Sequence, residues 1–291
     1  MRIYVYFLSV VMLAAVSGGC AAHRTGALAK GTPPRGAAAG HDNLFAATLE
    51  SSDERLKAAL FRVALMPTAE THRQAAFEYR RLGVFDLAYD HLTAAIKLNR
   101  TDAIAYDARA RISRDWGFPN MAVDDAKRAV SYAPSSAAAA NTLGTVFQAL
   151  GDLPVAKRWY VRALALDPAA AYAQNNLCYA AVMTREPYAT ATCSRAVAAA
   201  PDSKTARNNL ALAYAAANDM TSADRWFKRT GDAATATYNH GIVMMARGAY
   251  DEAEHAFHEA LLADPEFTLA AARARQARVA ALAEEQTGDS H

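Results

Sequence analysis

Neither sign of charge dominates this chain: 31 Lys and Arg stand against 29 Asp and Glu in 291 residues, a formal net charge of +2. Nucleic-acid partners call for a basic footprint, so a balance this close to neutral excludes them as the chain's general ligand. Catalytic signatures are missing too. No phosphate-binding glycine loop, Gly-x-Ser-x-Gly elbow or paired-carboxylate arrangement occurs at a workable spacing. His258-Glu259-Ala260-Leu261-Leu262 begins like the zinc-protease His-Glu-x-x-His, but Leu262 takes the place of the second ligand, and His255 does not replace it. His240 falls on a core-facing position. The expectation is a non-enzymatic chain without cofactor or metal. Cysteine is scarce, with three residues, Cys20, Cys178 and Cys193, and the first differs in kind from the other two.

A repeat takes up most of the chain. Leu143-Gly144, Gly151-Asp152-Leu153, Ala156, Tyr160, Ala163-Leu164 and Asp167-Pro168 form a pattern that returns at a spacing of about 34 residues. Gly83, Gly117, Gly151 and Gly248 mark its turns. Ala88, Ala122, Ala156, Ala189, Ala223 and Ala253 follow early in a second helix, and Ala95, Ala129, Ala163, Ala196 and Ala260 come one heptad later. Small residues at these two places let paired helices approach closely, and Pro134, Pro168, Pro201 and Pro265 close the units because proline cannot continue a helix. Hydrophobic content of 53% comes largely from alanine, which favours helix.

These anchors resemble the tetratricopeptide repeat family over residues 69–267. The resemblance implies an all-α, superhelical solenoid of about six helix-turn-helix repeats: 69–102, 103–136, 137–170, 171–203, 204–233 and 234–267. The fourth is one residue short at its turn, and the fifth loses much of its second helix. Residues 49–68 supply an N-terminal helix, with Ser52 as N-cap and Leu56, Leu60, Val63 and Ala64 on its apolar face. Residues 268–291 supply a capping helix and tail, Arg-rich outside, with Leu269, Ala272, Val279 and Leu282 inside.

The N terminus reads as an export signal. Arg2 precedes an apolar run from Ile3 to Val16, too short to span a bilayer comfortably, and Ser17-Gly18-Gly19 leads directly to Cys20. Small residues before a cysteine resemble the lipobox of bacterial lipoproteins, in which that cysteine is acylated, although Ser17 stands where leucine is usual. An ordinary secretory leader and an uncleaved anchor are the alternatives. Residues 21–48, rich in Gly, Pro and small residues, read as a flexible tether. The lipobox resemblance implies a protein of the bacterial cell envelope held by lipid at Cys20. With Ala21 following, it implies the outer membrane, facing the periplasm.

The tetratricopeptide resemblance carries further implications. It places Cys178 and Cys193 opposite one another across the fourth helix pair, where export favours a disulfide; two small core thiols are the alternative. It makes the first helix of each repeat line a concave groove, with Asn141, Asn175, Asn176, Asn208, Asn209 and Asn239 as an amide ladder, Thr142 inward beside Asn141, and Tyr172, Tyr179 and Tyr238 as flat contact surface. An asparagine amide both donates and accepts, so the ladder can pair with the backbone of an extended peptide, or it can bridge neighbouring helices. Arg73, Arg80, Arg81, Arg111 and Arg114 make the N-terminal end basic, offset in part by Asp107 and Asp115. The combination of signal, cysteine and repeats is similar to TadD-type lipoproteins of tight-adherence (Flp) pili and, more loosely, to secretin pilotins. It implies protein partners bound through extended segments. An adaptor for envelope enzymes, of the peptidoglycan-hydrolase or barrel-assembly kind, is the other reading.

Overall fold

The computed structural model describes residues 52–230 and 233–288; the leader, Cys20 and the tether lie outside the described residues. Among the described residues all regular structure is helical: α1 (Glu54–Leu65), α2 (Ala69–Arg81), α3 (Phe85–Leu98), α4 (Ala103–Asp115), α5 (Pro119–Tyr132), α6 (Ala137–Ala149), α7 (Leu153–Leu166), α8 (Ala171–Met183), α9 (Ala189–Ala199), α10 (Lys204–Ala216), α11 (Met220–Lys228), α12 (Ala233–Arg247), α13 (Tyr250–Ala263) and α14 (Thr268–Gly288). They fall into two compact units, one ending at Ala173 and the other starting at Gln174.

In the first unit, polar caps start most of the helices. Asp53, Thr68, Asp102, Ser136 and Asp152 each accept a hydrogen bond from the backbone N–H three residues on. Thr68 and Thr71 form a reciprocal capping box. The N-cap of α1 is therefore Asp53 and not Ser52, and the buried face of α1 is Leu56, Ala59, Leu60 and Val63, while Ala64 is exposed. Gly83, Gly117 and Gly151 end the first helix of each pair at φ between 77° and 92°, a left-handed conformation natural to glycine. One residue later an N–H reaches back to a carbonyl five residues before it: Val84 to Tyr79, Phe118 to Ser113, Asp152 to Phe147. This closing bond is that of a Schellman motif, and it turns the chain tightly into the second helix.

Paired helices meet over fully buried alanines, Ala88 and Ala95, Ala122 and Ala129, Ala156 and Ala163. A Cβ placed on Gly144 would lie 2.5 Å from the Tyr160 ring, so glycine is what lets this buried tyrosine cross to α6 and donate its hydroxyl to Gln148 Oε1 at 2.8 Å. One inward position carries a charge. Arg109 occupies the place that Leu143 fills one repeat later, and it donates from Nε and Nη2 to both oxygens of Asp125 at 2.7 and 2.8 Å. Its Nη1 donates to Thr93, and the Tyr89 and Tyr106 rings flank it at 5.2 and 5.8 Å.

The second unit keeps the turn bond, Glu186 to Ala181, Asp219 to Tyr214 and Ala249 to Met244, but two of its left-handed residues are not glycine: Arg185 (φ 54°) and Asn218 (φ 66°). The residue missing from the fourth repeat is lost after Arg185, not at the turn itself. The first turn of its second helix is replaced by an irregular stretch, so α9 has 11 residues where α7 has 14. Here Cys178 and Cys193 take the place of the Gly144–Tyr160 contact and are joined by a disulfide, with both cysteines fully buried and their Cα atoms 4.6 Å apart. α11 spans nine residues. On α14 the expected inner face is wrong. Ala270, Ala274, Ala277 and Ala281 are buried together with Arg273, whereas Leu269, Ala272, Val279 and Leu282 face solvent. Ala270, Ala274 and Ala277 share one buried cluster with Tyr238, Phe257 and the partly buried Phe267, in which Tyr238 packs at 5.4 Å from Phe257 and 4.9 Å from Phe267.

Candidate peptide-binding faces

In the first unit α2, α4 and α6 lie in sequence along one face, joined by side chains that cross from helix to helix. Arg73 donates to both oxygens of Asp102, the N-cap of α4, at 2.9 and 3.1 Å, and also pairs with Glu70. Arg80 reaches Asp115 at 3.0 Å, and Arg114 donates to Thr145 on α6. Arg111 is held less tightly, 3.6 Å from Asp107, whose carboxyl is pushed up by burial. The expected basic end of the groove is thus a set of partnered arginines, of which Arg73, Arg80 and Arg114 fasten one repeat to the next while Arg111 pairs within α4. Asn141 is half-buried on this face, Thr142 is buried and unavailable to a ligand, and Tyr172 is exposed. Burial and the nearby Asp167 and Asp107 carboxylates push the Tyr172 phenol up.

Two side chains on this face were not anticipated from sequence. Phe77 and Ile104 are largely exposed on α2 and α4, and Phe77 also borders a shallow cleft of about 410 Å³ with Ala58 and Arg62 of α1. Their signal lay in register: Ile104 holds the repeat position of Tyr172, and Phe77 that of Arg111.

In the second unit the amide ladder turns largely inward. Asn209 Nδ2 donates to Asn175 Oδ1 at 3.0 Å, and Asn239 Nδ2 donates to Asn208 Oδ1. Asn209 and Asn239 are buried and Asn175, Asn176 and Asn208 half-buried, so four of these amides bridge neighbouring first helices in two pairs. Tyr238 is core, and burial raises its phenol against the opposing pull of Arg273. Tyr179 is half-buried and likewise raised by burial. His240 is not packed in the core as expected; it is partly exposed, with Nδ1 2.9 Å from Asp224. His255 lies 3.4 Å from Glu259, both exposed.

No family model matches the chain. Among curated proteins it is 36% identical over 84 residues to the TPR repeat-containing thioredoxin TDX of Arabidopsis thaliana, a match covering 29% of this chain and 22% of that protein, so the chain spans about a fifth of that relative's length. Among solved structures, a tetratricopeptide repeat protein from Parabacteroides merdae superposes with a TM-score of 0.62 at 13% identity, over 81% of this chain and 98% of the other. PilW, a widely conserved type IV pilus biogenesis factor, gives a TM-score of 0.59 at 23% identity, over 68% of this chain and 94% of its own. The fold is that of an all-α tetratricopeptide-repeat protein.

Proposed function

We propose that the chain is a non-enzymatic scaffold, tethered by lipid at Cys20 to the periplasmic side of a bacterial outer membrane, that holds extended segments of envelope proteins along its first helices. The observation that carries this reading is the set of large apolar side chains, Phe77, Ile104 and Tyr172, standing exposed on three of the first helices, α2, α4 and α8, beside polar neighbours that on α2 and α4 are already bonded to one another. Exposed apolar groups gathered on one face mark interaction surfaces. The reading is non-catalytic, and the similarity to a thioredoxin-named protein does not carry redox chemistry over: Cys178 and Cys193 are 15 residues apart and tied to each other inside the core.

Assistance to pilus or secretion machinery gives the reading its direction. It rests on the leader, Cys20 and repeats taken together, and PilW, a pilus biogenesis factor, shares the fold. Crosslinked capture from membranes tests it. Secretin or prepilin components should be recovered with the wild type and lost with Ile104→Ala; recovery of peptidoglycan hydrolases or barrel-assembly proteins instead would move the scaffold to the other envelope pathway. Cys20→Ala should shift the protein from the membrane to the soluble periplasmic fraction, because the acylation point is gone. Retention of a processed mutant in membranes would refute the anchor.

A further inference from the structure

We propose that the face of the first unit formed by α2, α4 and the start of α8 selects acidic, apolar, extended segments; this names the ligand class within the peptide-binding reading above and rests on it. The formal charges on this face nearly cancel in number but not in depth. In each of three ion pairs the guanidinium lies further out than its carboxylate: the side chain of Arg73 is 19% exposed against 5% for Asp102, Arg80 35% against 25% for Asp115, and Arg111 43% against 15% for Asp107. A ligand approaching from solvent meets the nearer charge first, and the Coulomb interaction falls with distance, so this layering makes the face electropositive. Glu70, 58% exposed beside Arg73, and Asp115, 25% exposed against 22% for its second partner Arg114, offset it in part.

Apolar side chains stand among these cations. Phe77 is 62% exposed, Ile104 64% and Tyr172 45%. Ile104 and Arg111 lie on the same stripe of α4, seven residues or about two turns apart. An extended chain presents a side chain about every 3.3 Å, to alternate sides, so a segment that mixes carboxylates with large apolar residues can satisfy both kinds of group. The apolar contacts bring affinity, and the guanidinium layer sets the sign of charge that is accepted and speeds the encounter.

Fluorescence anisotropy on the purified full chain tests the assignment with three labelled peptides of equal length: Asp alternating with Leu and Phe, and two controls with every Asp replaced by Asn or by Lys. The Asp peptide should bind at least tenfold more tightly than the Asn peptide, and the Lys peptide should not saturate. Raising NaCl from 50 to 300 mM should weaken the Asp peptide several-fold or more. Ile104→Ala and Arg111→Gln, both at exposed side chains, should each weaken it threefold or more with an unchanged helical circular dichroism spectrum. Val161→Ala, at an exposed apolar residue on the second helix of its pair, should have no effect. Equal binding of the Asn or Lys peptide with Arg111→Gln indifferent would overturn the acidic class while leaving peptide binding intact. Binding of none of the three would remove the peptide-binding reading itself, and equal loss in Val161→Ala and Ile104→Ala would move the site off this face.

Discussion

Single residues carry two tensions in this fold. Arg185 adopts φ 54° at the turn position that glycine holds in the three preceding repeats. A left-handed backbone costs an L-residue about 1–2 kcal/mol, partly returned because glycine loses more entropy on folding. Arg185→Gly should therefore raise stability by roughly 0.5–1 kcal/mol, read as a higher urea midpoint at unchanged slope. The second tension is the buried His72–His91 pair, Nδ1 to Nδ1 at 3.0 Å, with Tyr79 stacked on His91 at 5.4 Å. One imidazole must donate and the other accept, so a second proton finds no place between them. Burial, and then the neighbouring His72, hold the His91 pKa at about 4, below its ordinary 6.5. The unfolded chain takes up that proton first. Stability is thus complete above about pH 6.5 and declines as pH falls towards 4, by a total on the order of 3 kcal/mol. Denaturation at pH 7.5 and 4.5 should show this loss in the wild type and a smaller one in His91→Gln.

At the scale of elements, the capping helix shows how far pattern can be trusted. α14 is alanine-rich, with apolar residues on more than one face, so several inner faces fit its sequence about equally. Leu269, Ala272, Val279 and Leu282 were expected inside, opposite the arginines. The buried face is instead alanine, and Ala270, Ala274 and Ala277 share a cluster whose bulk comes from Tyr238, Phe257 and Phe267. Ala277→Leu should then overpack and cost about 1–3 kcal/mol, while Val279→Ser, at a side chain in solvent, should stay within about 0.5 kcal/mol. The reverse order in thermal unfolding would restore the rejected face. The fourth pair makes a similar point. Its missing residue was legible, and so was the Cys178–Cys193 pairing that ties the shortened α9 to α8, but the loss of a helical turn after Arg185 is a matter of packing.

At the scale of the molecule, the two units fasten their first helices differently. Arginine–carboxylate pairs join α2 to α4 in the first, and asparagine amides join α8, α10 and α12 in the second. Salt screens partly exposed ion pairs and has little hold on neutral amides. Hydrogen exchange in 0.5 M NaCl should accordingly speed up more in α2–α4 than in α8–α12, by an amount equivalent to less than about 1 kcal/mol, relative to low salt. Equal response of the two regions would show that the pairs contribute nothing to joining the repeats.

The sequence alone determined the repeat length, the helix pairs and their turns, because these depend on local chemistry: glycine at a left-handed turn, proline after a helix, alanine where two backbones approach. It did not determine what the face of the first helices exposes. Asn209, Asn239, Thr142 and Tyr238 were legible as polar or aromatic residues on first helices, but whether such a side chain meets solvent or its neighbour depends on the offset between successive helices. An amide in a closed gap must bond to the next helix, since leaving it unsatisfied would cost about 1–3 kcal/mol. Phe77 and Ile104 stay exposed on the first helices although their sequence gives no local reason for it, and the guanidinium groups of Arg73, Arg80 and Arg111 lie outside the carboxylates of Asp102, Asp115 and Asp107 because the short aspartate side chains remain near the backbone. Burial is set by neighbours far away in the chain, and only the tertiary structure brought those neighbours together.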